Sequence, residues 1–357
     1  MKSEPEAHQP AFAVPKISDR HTTRLKIFGA VLTIAGVTLF SYFVYSVGAS
    51  EILGQVEKFG VAGFGVLLGV YLLRLSARAT AWKLSVHEPY SLRFNDALQA
   101  VIIGEAMSTM VPLGILISGT AKAVAVRKRL PLVVGLSSVA TENLFYSIVT
   151  SVFLILGAYT FVRSFNLEEG WAITIDILIA IIFLVVVFLV AMIVRQWHFA
   201  SETCEAIYRR GHLHGLLEHG RLQVRLFENF IYDFYRRYPK LFLPICAFEA
   251  AYHLLGIFET WYILSRIATA APTLTSSFLL ESVSRLITIV FKLVPFLIGV
   301  DEAGAQFVGE TLAIGAGVGV SLAIIRKGRI LFWTGVGLLL IMSRGLRLRH
   351  LGEEPEA

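Results

Sequence analysis

The sequence has little charge for its length. Asp, Glu, Lys and Arg make up 16% of its 357 residues, against about 25% in soluble globular proteins. Hydrophobic residues make up 55%, and the mean hydropathy is +0.68. Apolar runs of about 20 residues, long enough to cross a bilayer, recur along the chain. This composition excludes an ordinary soluble domain and predicts an all-α polytopic membrane protein.

Cysteine and catalytic motifs are also scarce. Cys204 and Cys246 show no metal-ligand spacing and are predicted to be free thiols. The sequence has no Walker A loop, no GxSxG elbow, no HExxH motif and no Gly-rich dinucleotide fingerprint. His212, His214 and His219 lack a carboxylate or cysteine at a recognisable spacing, so we expect no metal and no cofactor. These absences favour a function without catalysis but leave a membrane-embedded enzyme open.

The positive charges follow the loops between the apolar runs. The net charge is +6, and Lys58 and Arg163 are the basic residues of the predicted outside loops. This is the positive-inside pattern of membrane proteins, so no nucleic-acid partner is expected. The first 25 residues lack the layout of a signal peptide. We expect an integral protein of the bacterial inner (cytoplasmic) membrane with a disordered cytoplasmic tail at residues 1–25 and a second cytoplasmic tail at residues 346–357.

Six segments are predicted to span the membrane, with an outside loop over residues 48–60. A further segment, residues 195–240, is predicted to lie as amphipathic helices on the inner leaflet. Arg74 and Arg78 lie one turn apart near the cytoplasmic end of the second span. We expect them to snorkel to lipid phosphate, and lining a polar cavity is the alternative. The predicted spans are residues 27–47, 61–82, 132–161, 171–194, 241–267 and 317–342.

Two apolar stretches, residues 97–119 and 278–299, contain helix-breaking residues. Backbone that breaks a helix at membrane depth persists only where it is buried in protein or lines a wet cavity. Basic residues flank both ends of the first stretch, whereas the flanks of the second lack positive charge. We therefore predict two re-entrant hairpins that enter the membrane from opposite sides. The predicted breaks are Pro112, Gly114, Pro295 and Gly299.

The two halves of the chain resemble each other. Pro112 precedes Pro295 by 183 residues, and VGLS at 134–137 precedes VGVS at 318–321 by 184. Each half reads span, span, broken hairpin, span, an odd number of crossings, so the second half is predicted to be inverted relative to the first. A chance match among Leu-, Val- and Gly-rich helices is the alternative. The predicted repeats cover residues 26–194 and 241–345.

Charged residues at membrane depth are rare and usually functional. Glu281, Arg285 and Lys292 share one helical face. We expect Arg285 and Lys292 to line a site for lipid phosphate, with Glu281 orienting the guanidinium group. Mutual neutralisation of Glu281 and Arg285 is the alternative. Further candidates for headgroup binding are Glu105 in the first hairpin and at least one of Arg326, Lys327 and Arg329 in the last span.

Three further polar residues are secondary candidates. Glu249 and His253 lie four residues apart on one helical face, where a structural hydrogen bond is the simplest interpretation. Proton relay and metal binding are the alternatives for this pair. Glu142 lies in the first repeat at the depth that the basic residues of the last span occupy in the second.

Residues 294–333, VPFLIGVDEAGAQFVGETLAIGAGVGVSLAIIRKGRILFW, resemble the signature of the lysylphosphatidylglycerol synthase transmembrane-region family, also called flippase-like. In that signature a proline, a Gly-rich turn and a glutamate precede an arginine in the next span. A similar first-half pattern includes Lys122, but Thr120 stands where an acid is common and Asn143 where an arginine is common. The resemblance covers roughly residues 25–345. The matching signature residues are Pro295, Gly299, Glu302 and one of Arg326 or Arg329.

The resemblance implies movement of a charged phospholipid, such as an aminoacylated phosphatidylglycerol, or of a glycolipid between leaflets. It adds Glu302 and Lys122 to the candidates for headgroup binding. Because only a short tail follows the last predicted span, we expect no aminoacyl-transfer domain. Two other functions stay open. One is a lipid-modifying membrane enzyme that uses Glu249, His253 or Glu302; the other is an accessory subunit that docks a separate lipid synthase or glycosyltransferase through residues 195–240.

Overall fold

The computed structural model describes residues 34, 37–42, 44–86, 88–110, 114–165, 169–209, 224–225, 228–229, 231–291 and 294–343. The regular elements in this part of the chain are helices, which confirms the all-α polytopic membrane fold. A short apolar helix, Val37–Val47, precedes them. The longer helices are α1 (Ala49–Leu84), α2 (Phe94–Met110), α3 (Gly114–Ala125), α4 (Leu132–Ser164), α5 (Glu169–Arg195), α6 (Phe199–Arg209), α7 (Phe242–Ile267), α8 (Leu274–Val290), α9 (Val300–Thr311) and α10 (Ala316–Ser343).

Four segments of the described chain are long and apolar enough to cross a membrane, and they match the second to fifth predicted spans. Helix α10 matches the sixth in its bounds, but three bases interrupt its apolar run. Most of the first predicted span lies outside the described residues, so the total of six stays a prediction. The four segments are Ala49–Leu84, Leu132–Ser164, Ile173–Arg195 and Pro239–Ile267.

The prediction of an outside loop over residues 48–60 is wrong, because this stretch is helical. Helix α1 begins at Ala49 and changes direction at Gly60, whose φ of 69° and ψ of 170° lie outside the helical region. Glycine adopts such a positive φ without a steric penalty. Ile52 and Phe59 are buried on one side of this first arm. Their seven-residue spacing is that of an amphipathic helix, which the nearby acidic residues hide in a hydropathy profile.

Both predicted hairpins are pairs of helices separated by a break. Helices α2 and α3 pack along each other, and the break between them, with Pro112, lies outside the described residues; α3 begins at Gly114. The second hairpin is longer than predicted. After α8 the chain forms a 3-10 turn at Pro295–Leu297 and returns in α9 as far as Thr311. Gly299 therefore lies at the centre of the hairpin rather than at its end.

Helix packing is matched between the two halves. Helices α1 and α7, the spans that directly precede the hairpin in each half, pack against each other at the centre. Helix α2 packs on α10 as α8 packs on α4, and α4 contacts α7 as α10 contacts α1. Matched pairs of this kind are expected when two repeats are related by a pseudo-two-fold axis. The packing supports the internal repeat, and the orientation of each repeat in the bilayer stays a prediction.

Small residues allow the matched helices to approach closely. A Cβ atom at Gly157 of α4 would lie 2.6 Å from Cβ of Ser282 on α8. On the other side, a Cβ atom at Gly337 of α10 would lie 3.0 Å from the carbonyl oxygen of Ile102 on α2. Close contact through glycine is a common way for helices to associate within membranes. These contacts hold α8 against α4 and α2 against α10, the two helices that carry Glu142 and Arg326.

Candidate functional site

Four arginines surround two glutamates where α1, α7, α8 and α10 meet. The group lies inside the protein; Arg74 is 2% exposed and Glu259 fully buried. Each of the four helices contributes at least one charged side chain, so the site exists only when both halves are packed together. We call this group the arginine cluster. Its members are Arg74 of α1, Glu259 of α7, Glu281 and Arg285 of α8, and Arg326 and Arg329 of α10.

Arg74 connects the two carboxylates of the cluster. Its Nη1 donates to Oε2 of Glu259 at 2.7 Å, and its Nη2 donates to Oε1 of Glu281 at 3.0 Å. Arg329 donates to the other oxygen of Glu259, and Arg326 donates to Oε2 of Glu281. Arg285 contacts Glu281 at 3.3 Å. Each carboxylate is therefore shared between arginines from different helices.

The cluster holds two more positive than negative charges. Its arginines also lie over aromatic rings: Arg329 is 3.9 Å from the ring centroid of Tyr71, and Arg74 is 4.4 Å from that of Tyr252. Cation–π contacts stabilise a cation but do not neutralise it. The Nε atoms of all four arginines are buried and have no hydrogen-bond partner among the described residues. Unpaired donors and excess positive charge together suit a bound anion.

The first hairpin reaches this cluster through Tyr71. The tyrosine hydroxyl donates to Oε1 of Glu105 at 2.9 Å, and the same ring lies under the guanidinium group of Arg329. Glu105 is therefore one residue removed from the arginines. A displacement of α2 would alter the Glu105–Tyr71 contact first.

A second buried group, which we call the Glu142 cluster, lies within the first half. Oε1 of Glu142 accepts hydrogen bonds from Arg78, 2.7 Å from Nη2 and 3.2 Å from Nε. Its Oε2 accepts from Lys122 of α3 at 3.3 Å. Glu249 of α7 lies beside this group. With Glu142 and Glu249 facing Arg78 and Lys122, bases and acids are equal in number here.

Glu302 stabilises the break of the second hairpin. Its Oε2 accepts from the backbone N–H of Gly299 at 2.8 Å, and its Oε1 lies 2.6 Å from Nζ of Lys327. Lys327 also donates to the carbonyl of Leu297 at 3.3 Å. Phe296 and Leu297 have positive φ angles of 54° and 51°, a conformation that needs support in residues other than glycine. Glu302 and Lys327 supply that support.

Residues 27–337 match the family model described as the lysylphosphatidylglycerol synthase TM region. The chain belongs to this family. No curated protein and no solved structure matches it.

Membership of the lysylphosphatidylglycerol synthase TM-region family confirms the resemblance inferred from the second hairpin. The matched residues include both hairpins and all of the charged side chains described above. The chain is thus an integral membrane protein of a lipid-related family.

The expected hydrogen bond between Glu249 and His253 is not formed. Nε2 of His253 pairs with Oγ1 of Thr150 at 3.0 Å, and its ring stacks on Phe153 at a centroid distance of 4.6 Å. Helix α4 supplies both partners, so interhelical packing determines the orientation of the histidine. Glu249 points instead toward the Glu142 cluster.

The structure places the predicted site residues in three groups. Glu281, Arg285, Arg326 and Arg329 form one cluster, with Glu105 attached through Tyr71. Lys122 belongs to the Glu142 cluster and Glu302 to the hairpin break. Lys292 lies outside the described residues.

Sequence reasoning missed several members of these clusters. The snorkelling prediction for Arg74 and Arg78 is wrong, because both side chains point into the protein and pair with glutamates. Their four-residue spacing within a long apolar helix was the available signal. No sequence pattern distinguished Glu259, Tyr71 or Tyr252, since their partners come from other helices.

Two cavities adjoin this part of the molecule. One, of about 10 Å³, lies beside Arg326 and is lined by Ser284 and Asp301; such a volume holds one water at most. A wider cleft of about 540 Å³ is lined by Glu51 and Glu310, among others, away from the arginines. The arginine cluster is therefore closed in this conformation.

Proposed function

We propose that this protein translocates a lipid with a charged, phosphate-bearing headgroup between the two leaflets of the cytoplasmic membrane. The observation that carries the proposal is the arginine cluster, with its two excess positive charges and its four Nε donors that make no hydrogen bond within the described residues. A buried cation without a counter-ion is unfavourable by several kcal/mol. A phosphate group supplies both the negative charge and the acceptor oxygens that guanidinium groups bind in pairs.

Within this proposal Arg285 makes the first contact with the headgroup. Its side chain is 12% exposed, more than those of Arg74, Arg326 and Arg329, and it holds Glu281 by one contact of 3.3 Å. A phosphate that enters beside Arg285 can replace this weak contact. Lys292 lies two helical turns beyond Arg285 in the sequence pattern and stays a candidate for contact with the headgroup.

The two hairpins provide the moving parts. The cluster is closed and too small for a headgroup, so lipid entry requires α2 or α8 to move relative to the central helices. Transporters built from inverted repeats expose a midplane site alternately by rocking one repeat against the other. Glu105 on α2 and Glu281 on α8 are the residues whose contacts such a motion would change. Both termini are cytoplasmic in this arrangement.

The lipid class follows from the cluster chemistry. Phosphatidylglycerol, its aminoacylated forms and phosphate-linked glycolipids all carry the phosphate that the arginines suit. An ammonium group on an aminoacylated headgroup would find a carboxylate in Glu105, which is half-buried and accepts a hydrogen bond from Tyr71. These headgroups share a phosphate that no quaternary ammonium group neutralises, unlike the phosphate of phosphatidylcholine.

The direct test uses purified protein in phosphatidylcholine vesicles that contain a trace of acyl-labelled fluorescent phosphatidylglycerol. Dithionite added outside quenches label in the outer leaflet, so translocation extends quenching to the inner pool. We expect wild-type protein to do this and Arg285→Gln or Arg326→Gln to slow it at least tenfold. Arg266→Gln, an exposed arginine of α7, is the matched control and should leave the rate unchanged.

A second label separates the proposed substrate class from unspecific leakage. Labelled phosphatidylcholine has a phosphate but no net charge, and we expect slower movement than for phosphatidylglycerol. Equal quenching with and without protein contradicts translocation. Equal rates in wild type, Arg285→Gln and Arg326→Gln contradict the role of the arginine cluster.

A further inference from the structure

Glu249 has no use in the proposed binding of phosphate, yet it lies fully buried in α7. Neither of its carboxylate oxygens accepts a hydrogen bond from a described donor. Its carboxyl group lies against that of Glu142 on α4. A buried carboxylate without donors is unfavourable by several kcal/mol, and a second carboxylate beside it adds repulsion.

Two adjacent carboxyl groups can form a hydrogen bond only when one of them carries a proton, because both are otherwise acceptors. Glu142 is held in the charged form by three donors, two from Arg78 and one from Lys122. Glu249 has no such donors. Glu249 is therefore the member of the pair that carries the proton, and its O–H group can donate to Glu142.

The charged groups around Glu249 come from each neighbouring element. Arg78 faces it from α1, Lys122 from α3 and Glu142 from α4, while Cys246 lies one turn away on α7 itself. The charges of α8 and α10 belong to the arginine cluster further along α7, and Lys240 before α7 is exposed. Lys122 and Arg78 are thus the cations that respond to a new charge on Glu249.

We propose that Glu249 is a proton-binding site whose occupancy controls the first hairpin through Lys122. When the O–H bond of Glu249 breaks and the proton passes to water, a second carboxylate appears beside Glu142. The two cations that bind Glu142 are then shared between two anions, and Lys122 moves toward Glu249. Proton return restores the pairing seen in this structure.

Lys122 transmits this change because its stem packs against the other arm of the hairpin. A Cβ atom at Gly104 of α2 would lie 2.8 Å from Cγ of Lys122, so a shift of the lysine acts on α2 as well as on α3. Helix α2 also carries Glu105, which contacts Tyr71 and through this tyrosine links the hairpin to the arginine cluster. The proton site itself does not depend on the proposed function. Only the consequence of the hairpin movement, lipid translocation, rests on it.

Infrared spectroscopy tests the proton site without any transport. Purified wild-type protein should show the carbonyl stretch of a protonated carboxyl group at neutral pH, and the band should disappear as the pH is raised. Glu249→Gln should lack that component, whereas Glu310→Gln, a change at an exposed glutamate, should retain it. A band that is identical in wild type and Glu249→Gln overturns the assignment.

Lipid movement at graded pH tests the coupling. The wild-type rate should change with pH by up to about tenfold per unit, the limit for one titrating group. Glu249→Gln cannot release a proton and should be insensitive to pH, while Glu249→Asp should restore the dependence. Persistent pH dependence in Glu249→Gln overturns the coupling. If wild-type protein moves no lipid at any pH, the proposed function fails, and the infrared band still decides the proton site.

Discussion

The two buried clusters differ in how their charges balance. In the arginine cluster four guanidinium groups share two carboxylates, whereas Arg78 and Lys122 bind Glu142 beside a second acid. Glu142 precedes Arg326 by 184 residues, the same spacing that separates VGLS from VGVS. Equivalent positions of the two repeats thus carry opposite charges. With Glu249 protonated, the Glu142 cluster holds one excess positive charge and the arginine cluster holds two, so the arginine cluster favours a bound anion more strongly.

This difference also separates the roles of the two hairpins. The second hairpin contributes Glu281 and Arg285 directly to the arginine cluster. The first contributes Lys122 to the Glu142 cluster and reaches the arginines through Tyr71. We therefore expect changes in the second hairpin to alter anion binding, and changes in the first to alter how the site opens.

The largest effect should follow from loss of Glu281, whose carboxylate is shared by three arginines. In Glu281→Ala the cluster keeps one carboxylate, that of Glu259, for four arginines. Breaking a buried ion pair in this way destabilises a protein by about 3–5 kcal/mol. The measurement is the unfolding midpoint in detergent, with Glu57→Ala at an exposed position of α1 as control. Equal midpoints for the two variants would contradict the shared-carboxylate geometry.

The second-largest effect concerns the affinity for lipid, which we expect to fall more for a variant of the arginine cluster than for one of the Glu142 cluster. Arg285→Gln removes a donor to phosphate, and the loss of a charged hydrogen bond of about 1.5–3 kcal/mol weakens binding roughly ten- to a hundredfold. Lys122→Gln should change affinity less than about threefold on the same scale. Titration of detergent-solubilised protein with phosphatidylglycerol measures both. A larger loss in Lys122→Gln would reverse the assignment of the two clusters.

A smaller effect tests whether close packing supports the arginine cluster. A Cβ atom at Gly256 of α7 would collide with the carboxylate of Glu281 and with Arg74. Gly256→Ala should therefore destabilise the protein by about 1–3 kcal/mol, as overpacking does elsewhere. Gly69→Ala, where a Cβ atom has no neighbour within 4 Å, is the matched control. Indistinguishable melting curves for the two variants would show that the cluster tolerates the added atom.

The smallest effect concerns the break of the second hairpin. Glu302→Gln keeps an acceptor for the N–H of Gly299 but loses the charge pair with Lys327. We expect about 1 kcal/mol of local destabilisation, measured as faster hydrogen exchange over residues 294–303. Glu310→Gln, in the exposed part of α9, should leave exchange in that segment unchanged. Unchanged exchange in both variants would mean that Lys327 does not stabilise the break.

Local patterns in the sequence predicted the elements well and their partners poorly. The break of the second hairpin falls at Pro295–Leu297 and at Gly299, whose φ is 82°, because proline and glycine change the backbone through a single residue. The helical arm after Gly48 was missed because its acids lower the hydropathy. The pairing of Glu249 with His253 was wrong, since a four-residue spacing indicates proximity on one helix and carries no information about the neighbouring helix.

The sequence by itself determined the membrane class and the family, because hydropathy and short motifs depend on residues close together in the chain. Only the tertiary structure decided which charges meet. Arg74 and Glu259 are 185 residues apart, and Glu281 and Arg326 are 45 apart. Their contacts arise from the packing of α1, α7, α8 and α10, and in a low-dielectric interior each buried charge must find a partner that this packing provides.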